Sequence, residues 1–382
     1  MKIALFTDGI FPYVIGGMQT HSYNLVKYFA RNKVYVDLYH CNASEHDIAK
    51  LELFSEEEKR YIRPFVIPFP FSSNLPGHYI RDSYQYSWLI FKQFQKNKEV
   101  DFIYAKGFTA WKLLDEKRKG YACAPVGLNF HGYEMFQKPA SFRSRLEQVL
   151  LLRNPVRFNI KHADYLFSYG AKITEIILSL GVPKAKLIEA PTGVERDWLV
   201  EQVRMPAGPR KFIFVGRPER RKGIEELREV LQELKGNLSF EFTFVGEIPA
   251  RSRISSPNIH YAGKITDRAQ MKSILQAADV LVCPSYSEGM PNVILEAMAS
   301  GLAVISSHVG AASLLVSTQN GWLIEPGSIS DLRSALTDAI VCPSSRIGEM
   351  KKNSLEKARK FLWEDLIVHL IDQITAKIGP RV

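Results

Sequence analysis

The chain is predicted to be an α/β protein of two doubly wound domains facing one another across a cleft. Three observations predict this. Strand-like runs alternate with helix-like runs along the whole chain. The alternation restarts after a stretch without periodicity, EQVRMPAGPR at 201–210. The chain has 382 residues, more than one domain usually holds.

The first series opens with KIALFT (2–7), an apolar run of strand length. A loop ending in Gly16-Gly17 leads into MQTHSYNLVKYFARN, with helical spacing, and then VYVDLYH (34–40), completing a β-α-β unit. Further strands are expected at 65–69, 101–106, 125–131, 165–170 and 186–191. Residues 201–210 read as a linker. The second series has strands at 211–217, 240–247, 258–264, 279–285, 303–307 and 321–326, with helices at 223–235, 269–278 and 291–300. Consecutive β-α-β units imply parallel sheets covered on both faces. Ligands of such sheets bind at the carboxyl ends of the strands, so the cleft between the domains is the expected site. The last helix, 360–375, is long and amphipathic, with Trp363 near its start.

Composition sets limits. Hydrophobic residues make up 46% and charged residues 24%, as in soluble enzymes. The N-terminal apolar run stops at Thr7, too short for a secretion signal, and no segment is long enough to span a bilayer. Cys41, Cys123, Cys283 and Cys342 are far apart and read as buried thiols in a reducing cytoplasm. The net charge of +10 is uneven: residues 1–190 hold 26 Lys/Arg against 18 Asp/Glu. A basic half suits an anionic partner such as a membrane surface or phosphorylated acceptor, or is simply a soluble surface. No nucleic-acid motif accompanies it. SFRSRLEQVLLLRNPVRFNIK (141–161) reads either as a basic amphipathic helix for an anionic membrane or as a core helix with a basic outer face.

Four loop features carry chemistry. In SYSEGMPNVILEAMASG (285–301), Gly289 allows close backbone approach and Pro291 suits a first helical turn. The helix start is an anion site. At about 100° per residue, Asn292, Glu296 and Ser300 share one stripe. That stripe is either solvated or cleft-facing, where a carboxylate accepts from a diol. In FVGRPERRKG, Arg217 and Lys222 suit phosphate oxygens, or form a solvated basic loop. Gly16-Gly17 opens a helix, as an anion site or a plain turn. His131 ends a strand-like run, placed for proton or hydrogen-bond work, or structurally. Neither a G-x-G-x-x-G fingerprint nor a phosphate loop is present, and no acidic cluster suits a metal.

In order along the chain, IGGMQTH (15–21), His131, APTGVE (190–195), VGRPERRKG, the Glu288-x₇-Glu296 pair and the terminal FLWEDL resemble family 4 glycosyltransferases, the retaining GT-B enzymes. The resemblance spans nearly the whole chain. It implies a GT-B fold with two Rossmann-like domains: 1–195, completed by 360–382, on the acceptor side, and 196–359 binding the donor. It implies that Glu288 contacts the donor sugar, with His131 hydrogen-bonded to that sugar and Arg217 and Lys222 on the diphosphate. Gly16, Gly17, Gly289, Met290 and Pro291 would supply backbone around sugar and phosphate, Glu296 would hold the ribose, and Lys264 and Ile265 would meet the base.

The implied reaction moves a sugar from a UDP- or GDP-type donor to a glycan or lipid-linked acceptor. It needs no cofactor and no metal, in the cytoplasm or at the inner face of the membrane. Alternatives are a sugar-nucleotide epimerase of the same fold and a non-catalytic nucleotide-sugar-binding module. Acceptor choice falls to N-terminal loops such as 70–90 and 132–145. The chain departs from the family pattern at Gln19, Gly132, Thr192 and the single glycine of GEIP (246–249).

Overall fold

The computed structural model describes residues 1–14, 16–41, 53–71, 77–236 and 238–379. Ile15, at the head of the stretch 15–21, and residues 72–76, within the stretch 70–90, lie outside the described residues.

The first sheet holds β1 (Lys2–Phe6), β2 (Tyr35–His40), β3 (Ile62–Val66), β4 (Phe102–Lys106), β5 (Val126–Asn129), β6 (Tyr165–Ser168) and β7 (Leu187–Glu189). Their order is β3-β2-β1-β4-β5-β6-β7. The second holds β8 (Arg210–Val215), β9 (Phe240–Val245), β10 (Ile259–Gly263), β11 (Val280–Cys283), β12 (Ala303–Ser307) and β13 (Gly321–Ile324), in the order β10-β9-β8-β11-β12-β13. Every described ladder within the two sheets is parallel. Helices cover both faces, so central strands need apolar residues on both sides, and β4 and β12 are buried at every position.

Each sheet has one switch point, where the chain turns from building outward on one side to building on the other. These lie between β1 and β4 and between β8 and β11. Loops after β1 and β5 of the first sheet meet the loop after β11 of the second, through Gly17 and Asn292 and through Gly132 and Gly289.

Three expectations are corrected. The strand expected at 65–69 is Ile62–Val66. Pairing with β2 starts at Val36↔Ile62, and Pro64, which has no amide hydrogen, is tolerated because β3 is an edge strand. Residues 78–90, within the stretch 70–90 taken for acceptor loop, belong to the helix His78–Phe94, whose inner face buries Asp82, Ser83 and Ser87 among Tyr86, Ile90, Phe91 and Phe94. Those polar residues blur the apolar periodicity that reveals helices. Arg210, at the end of the expected linker, is already in β8; its buried guanidinium donates to Ala339 O (3.1 Å) and Cys342 O (2.8 Å).

The helix Trp363–Ile378 packs on the first sheet, not the second. Trp363, Ile367, Leu370 and Ile374 recur at helical spacing and are buried with Ile3, Leu5, Phe29 and Phe102. The return path is held at the connector: Val194 N donates to Phe361 O (2.8 Å) and Trp363 N to Val194 O (3.2 Å). A Cβ on Gly193 would stand 3.0 Å from the Trp363 ring and from Trp363 N, so the crossing is tight enough to favour glycine.

Ile367 is fully buried under this helix, whereas Val368 is 46% exposed. Ile367→Ala is expected to destabilise the protein by about 2–5 kcal/mol and Val368→Ala by less than about 0.5 kcal/mol. Thermal unfolding of the two variants side by side checks this.

Candidate active site

The loops after β8 and β11 cross in contact. Gly223 has φ +70°, and a side chain there would collide with the carbonyl of Pro284. Tyr286 N donates to Arg221 O at 2.7 Å. This crossing brings Lys222 Nζ to 2.5 Å from Glu288 Oε1, which also accepts from Ser285 Oγ at 2.8 Å. Arg221 Nη1 stands 3.9 Å from Glu288 Oε2. Burial alone would push the Glu288 carboxyl up. Lys222, then Arg221, outweigh it and hold the group below its ordinary range, so it is ionised.

Of the four cations in RPERRK, the short 3₁₀ turn Arg220–Lys222 decides which point inward. Arg221 and Lys222 do. Arg217 stays on the rim, with its side chain 69% exposed and 2.9 Å from Glu219, which also holds Arg221 Nε at 2.8 Å. Arg220 pairs with Glu226 (2.5 Å) and stacks on Tyr286, a structural role. The spacing of the sequence pointed to Arg217 and missed Arg221.

Gly289 and the buried Met290 and Pro291 lead into the helix Asn292–Ala299. Its start faces the start of the helix Gly17–Arg31. Asn292 Nδ2 donates to Gly17 O (3.4 Å), while its Oδ1 accepts from Thr192 Oγ1 (3.2 Å), so the departure at Thr192 supplies a donor to the cleft wall. Gly16, the residue before that helix, is extended, and a side chain on it would collide with Gln19 Oε1. Gln19 donates to Asp8 Oδ1 (3.2 Å), a bond that an ionised acid at that position could not make. Two helix starts thus point into one gap.

The stripe of Asn292, Glu296 and Ser300 turns toward this gap and the connector, not bulk water. Glu296 lies near Arg268 and Glu195. Burial, aided by Glu195 and opposed by Arg268, pushes its carboxyl up to about 7. Glu195 itself binds Lys27 Nζ at 2.6 Å and Arg268.

From the first sheet, β5 delivers His131 in the left-handed region, φ +55°. His131 N donates to Asn129 Oδ1 (2.7 Å), Nδ1 pairs with the Tyr169 hydroxyl, and Nε2 is buried without a partner among the described residues. Burial, reinforced by Lys106, lowers its pKa, so the ring is neutral. His21 packs edge-on against it at 5.3 Å and takes Lys106 Nζ on its Nδ1 at 2.7 Å. His131 and Glu288 are joined through backbone: a Cβ on Gly132 would lie 3.1 Å from Gly289 N, and one on Gly289 would lie 3.0 Å from His131 C. Glycine at 132, a departure from the family pattern, fits this close approach.

Lys264 is exposed and Ile265 half-buried, in the loop after β10. That loop lies beside Gly246, whose N donates to Gly263 O at 2.8 Å. β10 is two strands from β8, about 10 Å, so these residues flank the Glu288 cluster without touching it.

Residues 15–198 match the model of Glycosyltransferase Family 4, and residues 209–341 that of Glycosyl transferases group 1. A Bacillus subtilis (strain 168) protein assigned to teichuronic acid biosynthesis as a glycosyltransferase is 38% identical over 142 residues, 37% of this chain and 36% of that protein. An Escherichia coli (strain K12) protein assigned to colanic acid biosynthesis as a glycosyltransferase is 26% identical over 269 residues, 66% of this chain and 63% of that protein. The matched stretches thus span less than two thirds of either relative's length. A solved Anabaena structure in complex with UDP and glucose superposes with TM-score 0.67 at 18% identity, covering 98% of this chain and 100% of that one.

Because the Glu296 carboxyl is raised from 4.5 to about 7, the stability it contributes is present at low pH and lost as pH rises through 7. That loss begins at the unfolded value of 4.5, so Glu296→Gln is expected to leave the melting temperature nearly unchanged at pH 4. At pH 8 it should stabilise the ligand-free protein by about 1–3 kcal/mol. Melting curves at both pH values read this out.

Proposed function

Because this chain belongs to glycosyltransferase family 4 and has its GT-B fold, we propose that it transfers a sugar from a nucleoside-diphosphate donor with retention at the anomeric carbon and without a metal. The donor is of UDP or GDP type, and the acceptor is a glycan or lipid-linked glycan of a cell-surface polysaccharide. The observation that carries this reading is the buried, ionised Glu288 held by Lys222 beside two converging helix starts. The gap combines cations, free backbone N–H groups and fixed carboxylates, the needs of a diphosphate and a polyhydroxy ligand.

The diphosphate sits between the starts of the helices Gly17–Arg31 and Asn292–Ala299, against the backbone of Gly16, Gly17, Gly289, Met290 and Pro291. Lys222 and Arg221 neutralise the leaving phosphate, and Arg217 reaches in from the rim by exchanging Glu219 for phosphate oxygen. Glu288 accepts from sugar hydroxyls, and His131 meets another hydroxyl. Glu296 takes the ribose diol, and Lys264 and Ile265 flank the base. In the reacting step the bond from the anomeric carbon to the phosphate oxygen breaks, its electron pair staying on phosphate. The acceptor oxygen bonds to the same face, and its proton passes to that phosphate oxygen.

The Anabaena neighbour bound to UDP and glucose and the polysaccharide assignments of the two relatives support the donor class and acceptor class. Among the described residues no group of three His, Cys, Asp or Glu side chains is placed to hold a metal ion. Activity is expected to survive EDTA.

A face for an anionic membrane belongs to the same reading. The helical stretch 142–162 exposes Phe142 (74%), Leu146, Val149 and Leu150 (69%) with Arg143 and Arg145 beside them. Among the described residues no helix is long and apolar enough to cross a membrane. The protein should sediment with anionic vesicles at low salt and be released at high salt or by Leu150→Glu. Absence of salt-sensitive binding removes the membrane from the proposal.

Glu288→Gln is expected to lower kcat/KM at least about 100-fold. Lys222→Ala, made together with Glu288→Gln so that no buried carboxylate is left unpaired, should weaken nucleoside diphosphate binding about 10- to 100-fold relative to Glu288→Gln alone. Calorimetry with UDP and GDP, and sugar transfer assayed with and without acceptor, decide between transferase, epimerase and binding module. Turnover without acceptor, or unchanged transfer by Glu288→Gln, overturns the assignment.

A further inference from the structure

The side chains behind His131 determine which of its ring nitrogens carries the proton. Asn129, 2% exposed, is the last residue of β5; Tyr169, 3% exposed, follows β6, the neighbouring strand. His131 N lies 2.7 Å from Asn129 Oδ1. A backbone N–H only donates, so the atom facing it must be the amide oxygen, and the orientation of the amide is settled without ambiguity. The amide Nδ2 then points the other way, to Tyr104 Oη at 3.0 Å and Tyr169 Oη at 3.4 Å. It has only protons to offer, so the Tyr169 oxygen accepts from it. Among the described residues the Tyr169 hydroxyl has one other hydrogen-bond partner, His131 Nδ1. Its own proton goes there.

His131 Nδ1 is therefore an acceptor, and the single proton of the neutral ring is on Nε2. That atom is buried and has no partner among the described residues. We propose that Asn129 and Tyr169 are positioning residues that lock His131 as the Nε2–H tautomer, presenting one aimed donor that only an acceptor oxygen on the ligand can satisfy. The identification of that oxygen as a hydroxyl of the donor sugar rests on the reading of His131 given above. The same Asn129 oxygen also stabilises the left-handed backbone of His131, φ +55°, an uncommon conformation outside glycine. One amide thus sets both the direction of the ring and its proton.

The relay makes opposite predictions for two near-isosteric changes. Tyr169→Phe removes the donor to Nδ1 and frees the ring to exchange tautomers. Asn129→Asp keeps the acceptor for His131 N but replaces the amide donor with a second acceptor. The Tyr169 hydroxyl then donates to that carboxylate, and His131 must protonate Nδ1 to hydrogen-bond the tyrosine oxygen.

The test is long-range ¹H–¹⁵N correlation on the full chain labelled at histidine nitrogens, with the His131 signals assigned from His131→Gln. The wild-type ring is expected as the Nε2–H tautomer at neutral pH. Tyr169→Phe should give a mixture, and Asn129→Asp the Nδ1–H form. Turnover should fall about 10- to 100-fold in both variants, with the donor KM changed less than about threefold, as for the loss of an orienting partner. In a His131→Ala background, Tyr169→Phe should change turnover less than about twofold, because it acts only through the ring. A wild-type Nδ1–H or imidazolium form, an unmoved tautomer in Asn129→Asp, or multiplicative losses in the His131→Ala background overturn the relay. If the tautomers behave as expected but His131→Ala transfers sugar normally, the relay stands and the sugar contact of His131 falls. Should Tyr169→Phe fail to fold, the wild-type and Asn129→Asp spectra decide alone.

Discussion

The structure depends on one close approach: the backbone of Glu288 and Gly289 is seated between Gly132 of the first sheet's loops and Gly310 of the second's. A side chain on Gly310 would collide with the carbonyls of Glu288 and Gly289. The seat is bonded on both sides. Ala311 N donates to Gly289 O at 2.7 Å, and Gln137 Nε2 donates to Glu288 O at 2.7 Å. From that seat the Glu288 side chain reaches Lys222 and Ser285. A buried carboxylate must be paired, and Lys222 is the cation the crossing loop provides. The helix that starts at Asn292 is aimed by the same seat.

Two acids eight positions apart are thereby placed in opposite electrostatic states. Glu288 is ionised because two cations face it; Glu296 is held near 7 because burial and Glu195 outweigh Arg268. The roles proposed for them match that difference. An ionised carboxylate with fixed partners is a rigid acceptor for hydroxyls. A carboxylate poised near neutrality is ready to change state when a ligand arrives.

The two sheets are tied at a second place by charge. Lys27 on the helix Gly17–Arg31 binds Glu195 on the connector, which binds Arg268 on the far side; Arg268 and Lys272 then hold Asp197 at 2.6 and 2.5 Å. Both cations also lie over the Trp198 ring. Because Arg268 also faces Glu296, the geometry of the connector and the charge state of Glu296 are coupled through one guanidinium.

Much of the architecture was legible in the sequence because parallel strands buried on both faces must be apolar throughout, and loops between them carry glycine where the chain turns. The helix at 78–94 was not, because Asp82, Ser83 and Ser87 interrupt the apolar stripe of Tyr86, Ile90, Phe91 and Phe94 on its buried face. In the site, Glu288, Glu296, Lys222, His131 and Gly17 were picked out by residue type, and the structure brings them to one gap. Local spacing also singled out Arg217, yet a 3₁₀ turn sends Arg221 inward and leaves Arg217 on the rim. Asn129 and Tyr169 lie 40 residues apart and meet only because β5 and β6 are neighbours. The sequence by itself determined the fold class, the cleft and the kinds of groups that line it, since those follow from periodicity and residue chemistry. Which cation faces Glu288, that Glu296 is turned from solvent, and which nitrogen of His131 holds its proton were decided by the tertiary structure. Each depends on a partner brought by another strand or loop, and such distances are not written along the chain.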